Sequence, residues 1–130
     1  MDVVVTVRPD RVRIALVVVL VLSLLARLVA LRHGLPHAYN ADEELHYVPQ
    51  ATRAADGDWY SGYFENPSGF TDLVAVAYRV VFWGRDVSEM LVDDPTAVFT
   101  VARLVSALLG TATVAVVYVA GRELDRKSVV

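Results

Sequence analysis

Residues 14–31 read IALVVVLVLSLLARLVAL, an apolar run in which Arg27 is the one charged residue. An α-helix needs about 20 apolar residues to cross a bilayer core of ~30 Å. The run reaches this length over residues 12–35, and Arg27 then lies near enough to the end to extend its side chain to the headgroups. The stretch therefore predicts a first transmembrane helix. A cleaved signal peptide is the alternative, although the run is long for one and no small-residue cleavage pattern follows it.

Composition agrees with a membrane protein. The chain has 130 residues, of which 55% are hydrophobic, and the apolar residues are concentrated in runs. The net charge of -3 and the lack of a basic cluster argue against nucleic acid as a partner. The absence of cysteine excludes disulfides and thiolate metal sites.

A second apolar run covers residues 69–84 and carries Asp72 and Arg79. Each charge near the centre of a span costs about 2.5–3.5 kcal/mol on insertion scales. This run therefore needs neighbouring helices, or it lies partly outside the lipid.

A third run, residues 96–121, predicts a longer helix with Thr96 as its N-cap and Arg103 near its start. Small residues recur four apart along it, which suits close packing against another membrane helix, although small residues are common in such helices. These pairs are Ser106 with Gly110, and Ala107 with Thr111.

Basic residues predict the orientation of the first helix. Arginines before and after the run place the N-terminus in the cytoplasm and residues 37–68 outside the plasma membrane; they are Arg8, Arg11, Arg13 and Arg32. If all three runs cross, the basic C-terminal tail lies outside as well, against the positive-inside rule. Either residues 69–84 do not fully cross, or the rule fails here.

Residues 37–68 form an acidic, aromatic-rich loop. Within it, Asn40 followed three residues later by Glu43 predicts the capped start of a helix running to Ala55, with Pro49 breaking or kinking its middle. Residues 56–58 predict a turn. The fold class is therefore all-α and integral to the membrane, with about three hydrophobic helices and an amphipathic helix in the first extracytoplasmic loop.

The adjacent acids Asp42 and Glu43 are the strongest candidates for chemistry. A carboxylate beside an acceptor site can serve as general base, and its oxygens can hold a divalent ion over a phosphate. His46 is four residues after Asp42 on the same helical face, so both could contact one ligand or metal. Acids in a first helical turn are also favoured by the helix dipole alone, which leaves capping and solvation as the alternative.

The segment that leads into the second run combines aromatic residues, an acid and a proline. Its aromatic rings could stack on a sugar or anchor the loop at the membrane interface. The segment reads Tyr63-Phe64-Glu65-Asn66-Pro67.

In their order and spacing, three motifs resemble the N-terminal part of the GT-C membrane glycosyltransferases. The closest group is family 39, which includes protein O-mannosyltransferases and the aminoarabinose transferases of lipid A. The motifs are Asn40-Ala41-Asp42-Glu43, Tyr63-Phe64-Glu65-Asn66-Pro67 and Arg103-Leu104-Val105-Ser106-Ala107-Leu108-Leu109-Gly110. The resemblance covers residues 12–127 and implies an N-terminal fragment of a longer enzyme, inactive without the remaining helices.

The resemblance implies a polyprenyl-phosphate sugar as donor, an extracytoplasmic acceptor, and inversion at the anomeric carbon. Asp42 would be the catalytic acid that activates the acceptor or binds a divalent metal, supported by Glu43. Substrate-binding candidates are Tyr63, Glu65, Asn66 and His46, with Asn66 where relatives often carry lysine or histidine.

Two other functions fit the sequence. A non-enzymatic membrane subunit or anchor could bind a partner through the acidic loop. A small transporter would use its intramembrane charges as a pathway, although pairing between neighbouring helices explains those charges as well. The charges are Asp72, Arg79 and Arg103.

Overall fold

The structure is a computed structural model that describes residues 9–37, 40–59 and 67–128. Its regular secondary structure, within the described residues, is entirely helical. The elements are α1 (Pro9–Val29), a π-helical turn (Glu43–Tyr47), α2 (Val48–Asp56), α3 (Gly69–Val81), α4 (Val87–Asp93) and α5 (Pro95–Ser128). The chain divides into two compact units, one containing α1 and residues 107–130, the other residues 30–106.

Among the described residues, two helices are long and apolar enough to cross a membrane, Asp10–Val29 and Pro95–Asp125. In an apolar window of 18 residues within each helix, 0% and 6% of the residues are buried, unlike in a core helix of a soluble protein. The third predicted span is shorter than expected, because α3 has 13 residues and is therefore ~20 Å long. That length falls well below a bilayer core of ~30 Å.

The helix ends differ from the predicted ones for local reasons. The first helix ends at Val29 rather than at residue 35, because turns follow in which His33 N–H donates to the Ala30 carbonyl at 3.0 Å. The second ends at Val81 and is followed by a turn with Gly84 at φ +75°.

Residues 95–128 form one helix, seven residues longer at its C-terminal end than predicted, since residues 122–128 are good helix formers. Its N-cap is Asp94 rather than Thr96. The carboxylate of Asp94 accepts a hydrogen bond from Ala97 N–H at 3.1 Å. Pro95 then occupies the first helical position, where its missing N–H leaves nothing unpaired.

In the unit that contains α1 and residues 107–130, Arg27 lies against Gly110 of α5. A Cβ built on Gly110 would come within 2.7 Å of Arg27 Nε. The Arg27 guanidinium donates to the Ser23 carbonyl at 3.0 Å and to the Ser23 hydroxyl. The side chain thus folds back by one turn instead of extending toward the end of α1, and the small residue at 110 leaves room for it.

Replacing Gly110 with leucine is expected to push Arg27 off Ser23 and to weaken the packing of α1 against α5. The loss of these hydrogen bonds corresponds to about 1 kcal/mol each. Cross-linking between cysteines introduced on α1 and α5 measures the effect, in a chain that has no cysteine of its own. Gly121→Leu is the matched control, because no atom lies within 4 Å of a Cβ built there. Equal cross-linking of both variants would contradict the expectation.

In the unit of residues 30–106, the helix predicted from residue 41 is present. Asn40 caps it, since its Oδ1 accepts from Asp42 N–H at 3.0 Å. Pro49 does not break it. Instead a π-helical turn precedes the proline, with Val48 N–H donating to the Glu43 carbonyl. Pro49 has no backbone N–H and cannot donate a helical hydrogen bond, and the wider turn lets the helix continue without it.

The predicted turn at residues 56–58 is confirmed as the C-cap of α2. Gly57 has φ +116°, a conformation that favours glycine. Its N–H donates to the Ala54 carbonyl at 3.2 Å, and Asp58 N–H donates to the Arg53 carbonyl at 3.0 Å.

Small residues bring α2 and α3 close together in the core of this unit. Ala51 on α2 and Ala75 on α3 are both fully buried. Tyr78 is also fully buried, and its hydroxyl donates to the Val98 carbonyl of α5 at 3.1 Å. The tyrosine therefore fills the core without leaving a polar atom unpaired.

Between α3 and α5, residues 85–96 contain helix α4. Asp86 caps it by accepting from Glu89 N–H at 2.9 Å. Asp56, at the end of α2, accepts from the backbone N–H groups of Val87 at 2.9 Å and Ser88 at 2.8 Å, and from the Ser88 hydroxyl. Burial acts to raise the pKa of Asp56, but these hydrogen bonds outweigh it and hold the pKa below its usual value.

Asp56→Ala is expected to loosen α4 by about 1 kcal/mol, the typical effect of removing a helix-capping carboxylate. Because the folded-state pKa is depressed, the contribution is present above the unfolded pKa of about 4 and is lost as the pH falls through the folded value. Hydrogen exchange of the α4 amides measures this. The control is Asp93→Ala, an exposed acid at the end of the same helix. Equal exchange in both variants would show that Asp56 does not anchor α4.

Candidate functional site

Arg103 of α5 joins three separate parts of the unit formed by residues 30–106. Its Nε and Nη2 donate to the two carboxylate oxygens of Glu43, at 2.7 and 2.9 Å. Its Nη1 donates to the backbone carbonyls of Leu31 at 3.2 Å and His33 at 2.8 Å. We call these four hydrogen bonds the Arg103 clamp. It fixes the turn after α1 and the start of the 41–56 helix to the start of α5.

The pair in the clamp is largely removed from water, since the side chains of Arg103 and Glu43 are 20% and 18% exposed. A planar guanidinium matches a carboxylate with two parallel hydrogen bonds, the strongest form of this interaction. Burial, and to a smaller extent the charge of Glu43, raises the pKa of the Tyr78 hydroxyl. Tyr78 therefore remains a neutral donor beside the pair.

A cavity of about 330 Å³ adjoins the clamp. Its polar lining residues are Asn40, Glu43, Arg103 and Ser106. The remaining described lining residues are mainly apolar or aromatic: Tyr47, Val48, Phe70, Val74 and Ala102. The Tyr47 and Phe70 rings meet edge to face, with centroids 5.5 Å apart. A mainly apolar wall with a few convergent polar groups is typical of small-molecule sites, and the volume lies at the small end of their range.

The two adjacent acids have different surroundings. Glu43 faces inward to Arg103, whereas the Asp42 side chain is exposed. Asn40 caps the helix as its spacing to Glu43 predicts. The Glu43 carboxylate does not complete a reciprocal capping box, because it accepts hydrogen bonds from Arg103. Of the predicted pair, Asp42 is therefore the exposed carboxylate, and Glu43 is the one that lines the cavity. His46 is half-buried in the same helical segment, and its joint contact with Asp42 stays a prediction.

Three of the predicted substrate-binding residues, Tyr63, Glu65 and Asn66, lie outside the described residues. Within the described ranges, no group of three or more histidine, aspartate or glutamate side chains is placed to hold a metal ion. Metal binding at Asp42 remains a prediction.

Each charge that the sequence places in an apolar run has a structural partner. Asp72 accepts a hydrogen bond from the Ser68 hydroxyl at 2.9 Å, at the start of α3. Arg79 Nε donates to the Ala55 carbonyl at 2.7 Å, and Arg103 forms the clamp. Local pairing is sufficient to account for these charges without a transport pathway.

The sequence offered pairing between neighbouring helices as one explanation of Arg103, but it did not identify the partner, since Glu43 lies 60 residues away. Helix α4 could have been found from a local signal, because Asp86 and Glu89 have capping-box spacing and Val87, Met90 and Leu91 have helical spacing. No protein-family model, curated protein or solved structure matches this chain.

Proposed function

We propose that this chain is the first part of a membrane glycosyltransferase of the GT-C kind, acting at the extracytoplasmic face of the plasma membrane. The enzyme transfers a sugar from a polyprenyl-phosphate donor to an acceptor hydroxyl. The proposal rests on the resemblance of its motifs to family 39.

One observation carries the proposal further than the sequence. Two of the motifs, Asn40–Glu43 and the segment that begins at Arg103, are 60 residues apart and meet in the Arg103 clamp beside a cavity. A binding site built from these motifs requires such a meeting. The cavity offers polar groups next to aromatic rings, a combination suited to a sugar ring.

In the proposed reaction, the acceptor hydroxyl oxygen bonds to the anomeric carbon from the face opposite the phosphate. The bond between that carbon and the phosphate oxygen breaks, and polyprenyl phosphate leaves with the electron pair. Asp42, exposed beside the clamp, takes the hydroxyl proton as general base. Glu43 is a positioning residue, because its carboxylate is held by Arg103.

The proposed topology has two spans, α1 and α5, with residues 30–94 outside the cell. Because α3 is too short to cross a bilayer core, the proposed topology leaves out the third span that the sequence predicts. It keeps the predicted position of residues 37–68 outside the membrane. Both termini are then cytoplasmic, and the basic tail agrees with the positive-inside rule. The basic residues of that tail are Arg122, Arg126 and Lys127.

The donor class provides the test. Membranes from cells that express the complete reading frame are incubated with undecaprenyl-phosphate sugars (mannose, glucose and aminoarabinose) or with the corresponding nucleotide sugars, each labelled in the sugar. Transfer from a lipid donor, above that of membranes without the protein, is the expected result. Transfer from no donor would overturn the proposal in favour of a membrane subunit, and transfer from nucleotide sugars alone would overturn the lipid-linked donor class.

A further inference from the structure

The outer face of α3 carries an exposed apolar stripe, which continues into the turn after the helix. Leu73, Val76 and Val80 follow at spacings of three and four residues, which places them on one helical face, and Trp83 lies in the turn that follows α3. Val80 is 69% exposed and Trp83 86%. The opposite face already packs in the core through Val74, Ala75 and Tyr78. Open apolar stripes of this kind mark surfaces that bind a partner or a membrane.

A second cavity, of about 240 Å³, lies at the C-terminal end of this stripe. The charged residues in its described lining are Arg79 and Arg85, and Trp83 contributes an indole ring. Arg79 is held by the Ala55 carbonyl, and its guanidinium lies 6.0 Å from the Trp59 ring centre. Arg79 thus lies near the exposed Trp59, and both arginines line the cavity together with the exposed Trp83.

No acidic side chain is among the described residues that line this cavity. The carboxylates of Asp56 and Asp86 are hydrogen-bonded to backbone amides at the start of α4. Arg85 is exposed, and its backbone N–H donates to the Phe82 carbonyl at 2.9 Å in the turn after α3. The charge of the described cavity lining therefore favours an anion.

We propose that the stripe and the two arginines form a binding site for an anionic phospholipid. Guanidinium groups match phosphate oxygens, and tryptophans prefer headgroup depth. A helix too short to span lies in the interface with one face in the acyl layer, as the stripe requires. The site rests on the membrane placement proposed above and is independent of sugar transfer.

The experiment uses the two tryptophans of the chain as reporters. In the 130-residue chain, Trp59→Phe leaves Trp83 as the single tryptophan, which is excited selectively at wavelengths that tyrosine does not absorb. It is reconstituted in vesicles of equal parts phosphatidylcholine and phosphatidylglycerol, with brominated acyl chains on one lipid or the other. Brominated phosphatidylglycerol is expected to quench Trp83 more strongly, corresponding to a roughly fivefold local enrichment for each arginine.

Arg85→Gln is expected to reduce this preference, because it removes one of the two guanidinium groups of the site. The fold should be undisturbed, since Arg85 makes no described side-chain hydrogen bond that the substitution would break. Arg53→Gln, which removes an exposed arginine from α2 outside the cavity, is the matched control and should leave the preference unchanged. Equal quenching by both lipids, or an equal effect of the two variants, would overturn the anion site. No quenching by either lipid would mean that protein or water covers the stripe, which also overturns it.

Two further arms separate the causes of failure. Inorganic phosphate that abolishes the preference, where chloride at the same ionic strength does not, would assign the site to free phosphate instead of lipid. Release of the chain by alkaline carbonate would show that the membrane placement had failed. A chain retained by the membrane without a lipid preference refutes the lipid site alone.

Discussion

Arg103→Leu is expected to destabilise the unit formed by residues 30–106 by about 3 kcal/mol, the lower end of the range for breaking a buried ion pair. The lower end applies because about a fifth of each side chain remains exposed, 20% for Arg103 and 18% for Glu43. The substitution leaves the Glu43 carboxylate without its guanidinium partner and frees two backbone carbonyls of the turn after α1. Denaturant unfolding followed by tryptophan fluorescence measures the loss, since both tryptophans lie in this unit.

A double-mutant cycle isolates the pair. Glu43→Leu combined with Arg103→Leu is expected to lower the free energy of unfolding by less than the sum of the single substitutions. The double variant removes both charges, so neither is left buried without its partner. Arg103→Lys should fall between wild type and leucine, since an ammonium cannot make the two parallel hydrogen bonds. Arg53→Leu, at an exposed arginine, should change stability by no more than about 0.5 kcal/mol. Additive single effects would show that the clamp does not couple the two residues.

Asp42→Asn is expected to lower sugar transfer by the complete protein by a factor of about 10²–10⁴, the usual contribution of a general base. Asparagine retains the shape of the side chain but cannot take the acceptor proton. Because Asp42 is exposed, the unfolding midpoint should not change. Initial transfer rates with a lipid-linked donor, normalised to the amount of protein in the membrane, provide the measurement.

Comparison with two other variants separates chemistry from structure. Asp93→Asn changes an exposed acid on α4 and should leave transfer unchanged. Glu43→Gln should lower both transfer and stability, because its carboxylate belongs to the clamp. A normal rate with Asp42→Asn would remove Asp42 from the reaction.

Local patterns in the sequence predicted much of the fold. The apolar runs predicted α1 and α5, which are long and apolar enough to cross a membrane. Asn40 as a helix cap and residues 56–58 as a turn are confirmed. Such features depend on residues within one or two turns of each other, so a short window of sequence contains the relevant physics.

The candidate site required longer-range information. Adjacent in sequence, Asp42 and Glu43 looked equivalent, and only the packing of α5 separates an exposed carboxylate from a paired one. The length of α3 likewise depends on where the chain turns after Val81. The Arg79 side chain of α3 donates a hydrogen bond to the Ala55 carbonyl at the end of α2, and no neighbouring membrane helix is needed to pair it.

The sequence by itself determined that the chain is helical, where its two long apolar helices lie, and which short segment carries the acids. Tertiary structure alone decided which acid is exposed and what holds the other in place. The physical reason is that the Arg103 clamp joins groups 60 to 72 residues apart. Periodicity and capping signals describe neighbours along the chain and contain no information about such partners.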